Sequence, residues 1–140
     1  MKASSLFLRT AVLAALVAMA LGFYMGVSEN HTLATVHAHV NLIGWVSMLL
    51  FGLFYRAVPA VDGRLALIHY ACSVTGLVLF GSTLTIFFLY NAHWILPLWV
   101  LSAVLTIASM VLFAWNVFTA TRSSQSAAVS TAEAVGSTAG

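Results

Sequence analysis

His37-Ala38-His39-Val40-Asn41-Leu42-Ile43-Gly44-Trp45 opens a run that stays apolar as far as Tyr55-Arg56 and is closed by Pro59. Crossing a hydrocarbon core takes about 20 mostly apolar residues, so this run reads as a membrane-spanning helix. Two imidazoles at its head cost free energy unless something compensates them, which marks them as a candidate site. Outward from this stretch, three more apolar runs have spanning length, so that the four helices fall at roughly 7–27, 36–57, 65–90 and 94–119.

Composition points the same way. Of 140 residues, 62% are hydrophobic and 6% charged, and the mean hydropathy is +1.05, which excludes an ordinary soluble domain. The expected fold class is an all-α membrane protein with four transmembrane helices. The net charge of +2 comes from basic residues placed singly, so the expected partner is membrane lipid and not nucleic acid. Lys2 and Arg9 precede the first helix, Arg56 and Arg64 lie in the second connection, and Arg122 follows the fourth helix. Alternating helices put all five on one side, and the positive-inside rule makes that side cytoplasmic, in a bacterial-type inner membrane with the histidine pair near the outer face.

Residues 1–27 also carry marks of a secretory signal, with a basic start and Ala18-Met19-Ala20 as a cleavage-like site. The apolar run continues to Val27, however, and the expectation is a retained first helix. Ala14, Ala18, Gly22 and Gly26 form a small-residue stripe that suits close helix approach. At the other end, residues 123–140 are small and low in complexity, and are expected to be a disordered cytoplasmic tail after a transmembrane domain of 1–122. Cys72 is the single cysteine, so there is neither an intrachain disulfide nor a Cys-x-x-Cys-His pair for covalent haem attachment.

Helical periodicity sorts the side chains of the second helix. His37, Asn41, Gly44, Met48, Phe51 or Gly52, and Tyr55 share one face, which is expected to point into protein. His39 lies about 200° round from His37, on the face of Ile43, Val46 and Leu50. The two imidazoles therefore diverge, which suits two sites better than chelation of one small ion. Histidine ligates haem iron, copper and zinc, and buried haem wants an apolar pocket. His37 and His39 are thus candidate ligands of haem iron, with copper or zinc as the alternative, and Asn41 is the polar neighbour of His37. His69, near the cytoplasmic end of the third helix, reads first as a packing or interfacial residue and only weakly as a metal ligand. His31 and His93 fall at the outer connections and read as solvated or interfacial. His69, Ser73, Gly76, Phe80 and Thr83 on helix three, and Ser102, Thr106, Ser109, Phe113 and Asn116 on helix four, add partly polar stripes suited to protein contact.

The pattern His-Ala-His-Val-Asn-Leu-Ile-Gly-Trp-Val at 37–46, followed by Gly52-Leu53-Phe54-Tyr55-Arg56-Ala57-Val58-Pro59, resembles small four-helix proteins related to the catalytic subunit of haem-copper oxidases. These are the cytochrome c oxidase subunit I-like proteins, closest to the cbb-type and nitric oxide reductase branch. Gly22-Phe23-Tyr24-Met25-Gly26 and Ile68-His69-Tyr70 fit more loosely. The resemblance implies one four-helix arc of a three-arc ring, in which a His-x-His pair ligates haems on opposite sides of its helix. Carried onto this chain, it implies non-covalent haem b held by His37 and His39, with copper as an alternative, and a respiratory-chain electron donor. One arc lacks the full copper ligand set, and no Asp or Glu lies inside a helix to relay protons. The expectation is a homo-oligomer, with three copies closing a homotrimeric ring. Three functions follow from it: haem-based electron transfer or redox sensing, an oligomeric reductase of oxygen or nitric oxide, and a non-catalytic accessory or metal-handling role in a respiratory complex.

Overall fold

Four helices, α1 (Ala3–Ser28), α2 (Ala34–Ala57), α3 (Arg64–Tyr90) and α4 (Leu96–Thr138), make up a computed structural model that describes the backbone of residues 2–138 and the side chains of residues 2–122. There is no strand among the described residues. Each helix is long and apolar enough to cross a membrane, and the described part of α4 spans as His93–Arg122 with its lead-in turn. The segment expected as a disordered tail, 123–140, lies outside the residues whose side chains are described. The chain is a four-helix, multi-pass architecture with Lys2, Arg56, Arg64 and Arg122 gathered at one end of alternating helices. That end is called the basic end below, and the opposite one the histidine end.

Local chemistry sets the helix limits. α1 starts at Ala3, four residues earlier than its hydropathy predicts, because a distant side chain satisfies its first donors. Asp62, in the connection between α2 and α3, accepts from the amides of Ala3 at 2.9 Å and Ser4 at 3.4 Å through Oδ1. Its Oδ2 accepts from the Ser4 hydroxyl at 2.6 Å. A carboxylate at a helix N-terminus both satisfies orphan N–H groups and opposes the positive end of the dipole. Arg9 consequently lies within α1, where it is exposed. Asn91 ends α3 in the left-handed region at φ 49°, a conformation that asparagine tolerates. Glu29 ends α1 the same way at φ 54°, with no such preference to help it.

α1 packs most closely on α2, and α3 on α4. Small residues permit both contacts. A Cβ at Gly44 of α2 would stand 2.8 Å from that of Ala14 on α1, and one at Gly76 of α3 would stand 3.0 Å from the Thr106 hydroxyl on α4. Ala14 and Ala18 of the small-residue stripe are buried, whereas Gly26 meets nothing within 4 Å. The two pairs are joined at the basic end by a core of Ala3, Phe7, Ala11, Met48, Phe51, Tyr55 and Ala66, against which Tyr70 and Phe113 pack. Thr10 of α1 and Tyr70 of α3 add a hydroxyl–hydroxyl bond of 2.9 Å there. Large apolar side chains such as Leu16, Met19, Phe23, Val78, Ile107 and Phe118 point outward, as expected of a lipid-facing surface.

Between His39 and Met48, α2 is not an α-helix. Val40–Ser47 forms a π-helical segment with the wider i→i+5 turn, directly after the histidine pair. Ser47 donates its hydroxyl to the Leu42 carbonyl, five residues back, at 2.8 Å. The buried face of α2 still reads Gly44, Met48, Phe51, Gly52 and Tyr55, so the expected stripe does point into protein. Segments of this kind recur at functional sites, which draws attention to what lies just before it.

Candidate functional site

His37 and His39 occupy the first turns of α2, at the histidine end, and they turn to different neighbours. The His37 ring packs on α1: its Nδ1 lies 3.0 Å from the Ala18 carbonyl, and a Cβ at Gly22 would come within 2.8 Å of its Cε1. A carbonyl can only accept, so Nδ1 carries the proton and donates it, leaving the lone pair on Nε2. The Asn41 amide nitrogen donates to that Nε2 at 3.2 Å and also lies 3.2 Å from the His37 carbonyl. Gly22, read from sequence as a member of a packing stripe, is therefore the floor on which His37 rests.

His39 instead meets α3. Its ring lies 4.8 Å from that of Phe80, and its Nδ1 donates to the Thr35 carbonyl of its own helix at 2.8 Å. This again places the lone pair on Nε2, which has no hydrogen-bond partner among the described residues. Both imidazoles thus have the tautomer that metal-ligating histidines usually show, with the far nitrogen tied to a main-chain oxygen. His37 is saturated within the chain, and His39, a half-buried residue, retains a ligating atom without a bond.

The cavity geometry bears on what could sit there. A cavity of about 680 Å³ is an apolar groove among α1, α2 and α3, lined among others by Leu13, Val17, Val36, Val40, Leu77 and Gly81. No histidine lines it, although Val36 and Val40 flank the pair. Among the described residues no three His, Cys, Asp or Glu side chains group closely enough to cage a metal ion. A small ion such as zinc wants about four ligands. Haem needs one or two from protein, since the porphyrin supplies the rest.

His69 sits at the opposite end from the pair. It is completely buried, with 0% exposure, rather than interfacial. Its Nδ1 lies 2.9 Å from the Tyr55 hydroxyl, while Nε2 is buried without a partner. Rings from α1, α2 and α4 enclose it: Phe7 at 4.8 Å, Phe51 at 4.7 Å and Phe113 at 5.7 Å between centroids. Farther along the helix pair, Ser73 donates to Ser109 at 2.9 Å, and both line a cavity of about 50 Å³ with Ser47 and Thr106. Sequence reasoning placed His69 and Tyr55 on inward stripes but not in contact. Their pairing depends on the register of α2 against α3, which no local pattern reveals. His31 is exposed beside the Glu29 carbonyl, and exposed His93 rests edge-on against Phe87, as expected of solvated or interfacial residues. Comparison with protein-family models, curated proteins and solved structures finds no match to this chain.

Proposed function

We propose that this chain is a haem-binding integral membrane protein of the cytochrome c oxidase subunit I-like type, serving electron transfer or redox sensing. The observation that carries the reading is the tautomer and divergence of the pair. His37 and His39 each tie Nδ1 to a main-chain carbonyl, so each keeps its lone pair on Nε2, while the His37 ring packs on α1 and the His39 ring on Phe80 of α3. His39 would hold haem iron as it stands. His37 would do so once its Asn41 contact rotates away, because that amide now covers its lone pair. When bound, haem b would supply a one-electron couple at iron. The chain's own residues hold the ligands: Ala18 and Thr35 fix the tautomers, Gly22 gives the His37 ring room, and Phe80 braces His39.

No histidine lines the groove of about 680 Å³, so the reading sets the porphyrin against the His39 face and not inside a single bundle. A second copy of the chain then completes the site. Three copies closing a ring, and a respiratory-chain electron donor, belong to the same proposal. Its test is the absorption spectrum of the purified, haem-supplied chain. A Soret band that disappears in His39→Ala, weakens in His37→Ala and persists in His69→Gln supports the reading, and a chain that never acquires the band overturns it.

A further inference from the structure

At the basic end a mainly polar cavity of about 280 Å³ lies between α1 and the α2–α3 connection. Lys2 and Ser5 line it from the start of α1, Arg56 from the end of α2 and Asp62 from the connection, with Leu8 as an apolar side. The exposed side chains of Lys2 and Arg56 have no hydrogen bond or ion pair among the described residues. The one carboxylate of the lining is already engaged. Asp62 accepts from the Ala3 and Ser4 amides through Oδ1 and from the Ser4 hydroxyl through Oδ2. Two cations against one carboxylate leave the cavity with a net positive charge. Its depth in a bilayer follows from helix length. α1 has 26 residues and α2 has 24, so they are about 39 and 36 Å long. A hydrocarbon core is about 30 Å thick, and about 40–45 Å with its head groups, which sets Lys2 and Arg56 in the head-group layer. Leu8 lies about 9 Å farther along α1 than Lys2, toward the acyl chains.

We infer that this cavity binds the phosphate of an anionic phospholipid from the leaflet at the basic end, held between Lys2 and Arg56. Arginine grips phosphate oxygens two at a time, and lysine meets them as a point charge. Basic pockets between spanning helices take lipid head groups in this way. The Ser5 hydroxyl, which makes no hydrogen bond among the described residues, adds a donor, and an acyl chain continues along Leu8. The net charge selects a lipid whose head group carries only phosphate over one that also carries an ammonium, because the ammonium would meet like charge. The site lies at the opposite end from His37 and His39 and does not depend on haem.

The test titrates the purified full chain, in nonionic detergent at about 0.15 M salt, with phosphatidylglycerol, phosphatidylcholine or inorganic phosphate. Native mass spectrometry counts the molecules retained. Phosphatidylglycerol should bind one per chain and about fivefold or more tighter than phosphatidylcholine, since one cation near a membrane surface is worth about that factor. Lys2→Gln and Arg56→Gln should each weaken it by about fivefold. Arg64→Gln and Arg122→Gln remove the same charge at the same end but outside the cavity, and should change it by about twofold or less. Equal affinity for the two lipids overturns the inference. Equal losses in all four variants also overturn it, because they would show diffuse attraction to the basic end. Inorganic phosphate binding as tightly as phosphatidylglycerol overturns it as well, by making the ligand a free anion. The comparison of lipids on the parent chain decides the matter even where a variant does not fold.

Discussion

The two ends of this bundle use histidine in opposite ways. At the basic end His69 is sealed among rings from the other three helices, and the Asp62 carboxylate locks the α2–α3 connection onto α1. At the histidine end His37 and His39 are half-buried, held by carbonyls, and followed by a wide π-helical turn instead of a tight core. The difference teaches where stability and where chemistry reside. Cross-bracing concentrates at one end, and the end left looser presents a ligating atom.

The largest effect should come from the sealed end. Phe7 touches Phe51, Tyr55, His69 and Tyr70, so Phe7→Ala should cost about 3–5 kcal/mol, read from the unfolding midpoint in mixed detergent. Trp94→Ala at the histidine end, where the side chain is exposed, should move that midpoint by about 0.5 kcal/mol or less. Equal costs at the two ends would break the comparison.

Next in size is Gly44→Val. Its new side chain would meet Ala14 and Leu77, and overpacking of this kind costs about 1–3 kcal/mol in the same assay. Gly26→Ala meets nothing and should stabilise α1 by about 0.5–1 kcal/mol. The Asp62 brace comes third: Asp62→Ala should lose about 1–2 kcal/mol and increase amide exchange at Ala3 and Ser4 first. Smallest is Glu29→Gly, which relieves a left-handed residue at the histidine end and should gain up to about 1 kcal/mol.

Much of the fold was legible before the structure because lipid demands long apolar helices, and hydropathy reports those directly. The four spans and the inward face of α2 from Gly44 to Tyr55 follow from that demand. What escaped was contact between distant segments. Asp62 caps a helix 59 residues away, which no capping pattern near Ala3 announces; Lys2 at that position gives no side-chain bond. The π-helical segment was hidden too, since Val40–Ser47 carries no glycine–proline break and its hydropathy is ordinary for a span. At the candidate site the divergence of His37 and His39 was readable from helical angle. The saturation of His37 by Ala18 and Asn41 was not, because it rests on how closely α1 approaches at Gly22. His69 and Tyr55 were both seen as inward-facing, and only the packing showed that they touch.

The most direct test of the central claim is the visible absorption spectrum of the purified chain after haem is supplied, compared with that of Gly22→Ala and His39→Ala. A Cβ at position 22 would press on the His37 ring at 2.8 Å while leaving His39 untouched. The account predicts a Soret band in the parent chain, a shifted band in Gly22→Ala and none in His39→Ala. A parent chain without the band, or three identical spectra, would contradict it.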